Sequence, residues 1–338
     1  MVSSNASARV TKERWRLAVF LGALLILPAF VSHWIPSRRD FDSKPITHLR
    51  KKQPDVVLIG DSVLGGSIDP VVLARELGVR RAELLWNGGA ASAAWYLLMK
   101  NYVVEAGIHP RLVCIFFRDR MLTDANFRTT PTYRRFLESI RHEEEPVFET
   151  VLEGEEKEKG LLGRLLDRLY PLQTRRHVQQ EKISRLAYRI AAAGEPIGRL
   201  RRQVNAIFDP AKLRDEIMDE SAQVSAEPPE EFTADPRLNF LPHIVETARQ
   251  AGLRLCFVRE KRHPLPDGTT QQSGDIQRYT KELAHWLESQ GYSFIDLTSN
   301  SSLDQSMYLK PGDDHIRPEA KEAVTKIYAA KLRLLLAQ

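Results

Sequence analysis

The sequence predicts an α/β protein: a three-layer α/β/α, flavodoxin-like fold with a central parallel five-stranded sheet, a helical insertion and an N-terminal transmembrane helix. Three observations carry this expectation. Five short, mostly apolar runs, at 56–59, 82–86, 112–117, 253–258 and 292–297, lack strict alternation and suit strands buried on both faces of a parallel sheet. Helical patterns lie between them, as a doubly wound sheet requires. The stretch 17–35 runs for nineteen residues without a charge, close to the ~20 that cross a hydrocarbon core.

Taken in order, residues 1–16 are expected on the cytoplasmic side, because Arg9, Lys12, Arg14 and Arg16 precede the apolar stretch. Trp15 and Trp34 bracket 17–35 as interfacial anchors would. A cleaved signal peptide is the competing reading, but the stretch is long for one and no clear small-x-small site follows. A single-pass anchor with an extracytoplasmic domain, periplasmic in a Gram-negative cell, is therefore expected. The formal charge of +5 does not imply nucleic acid. Residues 1–52 hold ten Lys/Arg against Glu13, Asp40 and Asp42, so the rest of the chain is slightly negative.

Polar, proline-punctuated residues 36–54 read as a juxtamembrane linker, and 55–338 as the α/β domain. Asp69-Pro70 opens the first helix with an N-cap and a proline at N1, and Gly78 closes it. Too many residues separate the third and fourth strands for one crossover helix, so part of 120–240 is an insertion. Its segment 160–208 is basic and keeps a leucine stripe. A helical cap with a solvated charged face is favoured there over a helix lying on an anionic membrane. The last helix spans about 318–335. Cys114 and Cys256 fall within strand-like runs as small core residues, without zinc or disulfide spacing.

Two clusters carry chemistry. The first strand runs directly into Gly60-Asp61-Ser62, which places a hydroxyl at the carboxyl end of a buried strand, where open α/β sheets bind ligands. A serine needs a base to become a nucleophile. His315 is distinguished among nine histidines by following Asp313 and Asp314 and preceding a proline-started helix. An imidazole held by a carboxylate can take the serine proton near neutral pH. Residues 60–67 also read Gly-x-x-x-x-Gly-Gly-Ser, but Gly66 stands where a phosphate-binding loop needs lysine.

The two ends together resemble the SGNH (GDSL-type) hydrolase superfamily, in Ile59-Gly60-Asp61-Ser62 and in 312–320, Gly-Asp-Asp-His-Ile-Arg-Pro-Glu-Ala. The resemblance covers about 54–118 and 250–335. It implies Ser62 as nucleophile, His315 as general base and Asp313, or Asp314, as its partner, because Gly312 occupies the family's usual Asp position. It implies oxyanion or substrate contacts from the Gly60-Asp61 turn, from Ser92 with Gly89 nearby, and from Arg118, which stands where the family has Asn. Arg259, Lys261 and Arg262 follow the fourth strand and are candidates for holding an anionic group.

The function expected is a membrane-anchored serine esterase or O-acyltransferase acting on acyl esters, such as O-acyl groups of cell-envelope polysaccharide, without metal or organic cofactor. The alternative is a catalytically silent member that binds a polysaccharide or a membrane assembly.

Overall fold

The computed structural model describes residues 41–129, 131–142, 144–153, 232–270 and 272–337, which belong to one unit drawn from 40–156 and 228–338. The anchor expected at 17–35, residues 1–16 and the basic segment 160–208 lie outside the described residues. Among the described residues no helix is long and apolar enough to cross a membrane.

Within the stretch 36–54, expected as a linker, the described residues from 41 on require a correction. Lys44–Lys52 is a helix, α1, with Pro45 in its first turn, and Ile46 and Leu49 are buried in the core. Its three lysines and Arg50 mask a one-sided apolar pair at i, i+3, which is all that a short helix needs to dock.

Five strands follow: β1 (Val56–Gly60), β2 (Ala82–Trp86), β3 (Leu112–Phe117), β4 (Leu255–Arg259) and β5 (Ser293–Asp296). All pairings are parallel, and the order across the sheet is β2-β1-β3-β4-β5. After β1 come α2 (Ser62–Ser67) and α3 (Pro70–Leu77). As the sequence predicts, Asp69 caps α3, accepting from the N–H groups of Val71 and Val72, and Gly78 ends it at φ +66°. α4 (Ser92–Leu98) continues into a π-helical stretch at Met99–Val104.

Beyond β3, α5 (Pro131–Ser139) and α6 (Pro146–Glu153) lead away, and α7 (Leu241–Gln250) leads back into β4. α8 (Gly274–Ser289) precedes β5, and α9 (Lys321–Leu336) closes the chain's described part. Leu137, Ile140, Phe148, Val151 and Phe240 are core residues. The insertion expected over 120–240 is therefore narrower, because its flanks belong to the domain itself.

Strand residues alternate between two cores, as a period of two demands. Val57, Ile59, Val113, Ile115, Phe117 and Phe257 face α1, α4, α7 and α8. Val56, Leu58, Cys114, Phe116, Cys256 and Val258 face α2, α3 and α9. Helices thus cover both faces, and the free cysteines sit opposite each other on adjacent β3 and β4. The connection reverses direction between β1 and β3, so the crevice at their carboxyl ends is the switch point where such sheets take ligands. Ser62 follows β1, and Arg118 follows β3.

Candidate active site

Local chemistry sets the serine in place. Gly60 ends β1 where α2 folds back closely: a Cβ there would lie 2.7 Å from Leu64 Cδ2 and 3.2 Å from Phe116 Cβ. Asp61, extended and buried, caps α2 by accepting the Val63 N–H at 2.8 Å. Ser62 is then the first helical residue, with no preceding turn to take its N–H.

The other half comes from the loop before α9. An antiparallel bridge between Tyr308 and Ile316 closes this loop, reinforced by Leu309 N–H to His315 O at 2.9 Å and Arg317 N–H to Met307 O at 2.9 Å. Gly312 takes φ +76°, a backbone conformation that would strain an aspartate at that position. Asp313 Oδ1 accepts the His315 backbone N–H at 3.0 Å and sits 2.7 Å from His315 Nδ1. That local turn lets a carboxylate two residues away, rather than three, reach the ring. His315 Nε2 lies 3.0 Å from Ser62 Oγ. With the proton on Nδ1 facing Asp313, Nε2 is free to accept the serine hydroxyl. Burial works to raise the Asp313 pKa, but its hydrogen bonds from His315 outweigh that and hold it below the usual carboxylate value.

Asp314 faces elsewhere. Its Oδ2 pairs with Arg118 Nη1, and its Oδ1 accepts the His263 N–H at 2.9 Å. Of the two carboxylates left open by the sequence, Asp313 is the one on the imidazole.

Arg118 is 9% exposed and its fork is occupied: Nη2 donates to Asp61 Oδ2 at 2.6 Å while Nη1 holds Asp314. Both terminal nitrogens thus serve carboxylates, while the buried Nε has no hydrogen-bond partner among the described residues. Burial pulls the guanidinium pKa down, but Asp61, Asp314 and Glu260 together raise it further above its usual value. Asp61, also expected at the substrate, is likewise committed, to Val63, Arg118 and Arg128 Nη1 at 3.3 Å. Ser92 is buried and donates its hydroxyl to Asp124 O at 3.0 Å, leaving only its backbone for an oxyanion. Gly89 sits at φ +82° with the Tyr133 ring packed where a side chain would go.

Of the basic residues after β4, Arg259 is buried against Asp296 at 3.2 Å, and Lys261 donates to the carbonyls of Gly268 and Asn300. Arg262 is half exposed and pairs with Asp119 at 2.6 Å. Arg259 and Arg262 are thus paired with carboxylates, and Lys261 is held by backbone carbonyls.

Two neighbours escaped sequence reasoning. Arg128 shares Asp61 with Arg118, and Glu260 is buried with neither carboxyl oxygen hydrogen-bonded among the described residues. Burial first, then the charges of Asp61 and Asp314 against the opposing pull of Arg118, push the Glu260 pKa well above the ordinary value. The available signal for Glu260 was its place at the carboxyl end of a buried strand. Arg128 has no signal in the sequence pattern.

Neither a family model nor a curated protein matches the sequence. Among solved structures, the chain is similar to a proposed acylhydrolase of Bacteroides fragilis (10% identity, 89% of this chain, 100% of that one, TM-score 0.39). It is similar to an acetyl xylan esterase (12% identity, 81% and 98%, TM-score 0.36) and to a GDSL-like lipase of Bacteroides thetaiotaomicron (12% identity, 86% and 98%, TM-score 0.36). Likeness at this level carries no functional argument, and the chemistry follows from the chain's own geometry.

Proposed function

We propose that this protein is a serine esterase or O-acyltransferase that works through an acyl-enzyme on Ser62. One observation carries the reading: the continuous relay from Asp313 through His315 to Ser62, with contacts of 2.7 and 3.0 Å. Both distances lie within the reach that proton transfer needs.

Ser62 Oγ attacks the acyl carbonyl carbon while His315 Nε2 takes its proton, and Asp313 stabilises the imidazolium through Nδ1–H. The tetrahedral oxygen is served by backbone N–H groups at the start of α2 and at the carboxyl end of β2. As the intermediate collapses, the C–O bond to the leaving alcohol breaks and His315 returns the proton to that oxygen. His315 then deprotonates water or an acceptor hydroxyl, which attacks the ester carbon; the bond to Ser62 Oγ breaks, and His315 returns that proton to the serine oxygen. Coupled to an anchor at 17–35, this chemistry would act outside the cytoplasm on O-acyl groups of envelope polysaccharide. The uncharged span and its basic flank support that placement.

Hydrolysis of p-nitrophenyl acetate tests the mechanism. Ser62→Ala and His315→Ala should each lower kcat/KM by about a thousandfold or more. Equal rates in all three proteins would refute it and leave a binding protein.

A further inference from the structure

We propose that Arg118 is a positioning residue that straps the turn carrying Ser62 to the loop carrying Asp313 and His315. The inference rests on the acyl-enzyme reading but concerns a side chain that touches neither the ester nor the imidazole.

The relay has a mechanical difficulty. Ser62 and His315 belong to segments 253 residues apart, yet their hydrogen bond must be kept near 3.0 Å. The His315 loop is closed on itself by the Tyr308–Ile316 bridge, which shapes the loop without fixing it to β1. Lys321, six residues after His315, ties to α2 by donating to Gly65 O at 2.8 Å, and Arg118 adds the link that falls beside the relay itself. Arg118 directly follows β3, the strand between β1 and β4, and its guanidinium reaches both sides: Nη2 to Asp61 and Nη1 to Asp314. Asp61 immediately precedes the nucleophile, and Asp314 lies between the base and its carboxylate. Each arm therefore ends one residue from a member of the relay.

The surroundings agree with a strap rather than a substrate contact. The guanidinium is buried, and both carboxylates have second anchors: Asp61 in the Val63 N–H and Arg128, Asp314 in the His263 N–H. The chain after Arg118 is held in an unfavourable backbone conformation, Asp119 at φ +44°, and Asp119 is fastened by Arg262 at 2.6 Å. A planar fork can bridge two carboxylates where an ammonium serves as a single point charge.

Arg118→Lys keeps the charge and removes the bridge, while Asp314→Asn weakens one arm alone. Three readouts are taken on each variant: the thermal unfolding curve, kcat and KM on p-nitrophenyl acetate, and the downfield proton signal of His315 Nδ1–H. The strap predicts cooperative unfolding, a KM within about twofold and a kcat lower by about a hundredfold in Arg118→Lys, as for a misplacement near 1 Å. The Nδ1 signal should broaden or shift, and Asp314→Asn should follow in the same direction by about tenfold in kcat. Should Arg118→Lys not fold, Asp314→Asn alone settles the matter by the same measures.

Wild-type kcat with an unchanged Nδ1 signal in the folded variants would overturn the strap. So would a loss confined to KM, the mark of a substrate contact. If the wild-type protein shows no turnover sensitive to Ser62→Ala, the acyl-enzyme reading fails separately. The imidazole signal then still tests the strap, because it reports geometry without catalysis.

Discussion

At the residue scale, the burial of Glu260 makes a prediction that depends on sign. Its folded pKa stands well above the ordinary 4.5, so between those values the folded protein holds a proton that the unfolded chain has released. Stability from this group is fully present below about pH 4.5 and is lost as pH rises towards the folded pKa. Glu260→Gln removes the titration while keeping the shape. Urea midpoints measured from pH 5 to 9 should show the variant gaining on the wild type steadily as pH rises. Parallel curves would mean that Glu260 is ionised throughout. The same cluster explains what single-residue reasoning missed. Arg118 stands where an oxyanion donor was expected, yet its partners Asp61 and Asp314 are 57 and 196 positions away, and no local pattern announces such pairings.

At the element scale, α2 is the part that aims the serine, and Gly60 is the residue that lets it approach β1. Gly60→Ala would place a methyl group 2.8 Å from Leu64 Cβ, so α2 must shift or Leu64 must leave its rotamer. The expected cost is about 1–3 kcal/mol, read as a lowered melting temperature, together with a fall in kcat because Ser62 moves with the helix. An unchanged melting temperature and rate would show that the contact relaxes freely. Elements with strong local punctuation were legible. Asp69, Pro70 and Gly78 bound α3 in the sequence as they do in the fold, and the strand at 112–117 has the same limits in both. α1 was not legible, because its basic surface outweighs the two buried residues, Ile46 and Leu49, that dock it.

At the scale of the whole molecule, the fold class followed from five apolar runs and the helical stretches between them, since strands covered on both faces leave a distinctive composition. Strand order was another matter. Nothing local in β3 states that it lies between β1 and β4; that follows from long-range parallel pairing. The order matters chemically, because it brings the turn after β1 and the residue after β3 to one switch point. Asp313 came first in the sequence reading with Asp314 left open, and what separates the two in the structure is a loop with Gly312 at positive φ and the Tyr308–Ile316 bridge.

The central claim is that Ser62 is a nucleophile because His315 and Asp313 make it one. A fluorophosphonate probe tests this directly, since it forms a covalent bond only with an activated serine. Incubated with the wild-type protein and mapped by mass spectrometry, it should label Ser62 at one equivalent, and labelling should disappear in His315→Ala. No adduct on Ser62, or equal labelling in both proteins, would contradict the account.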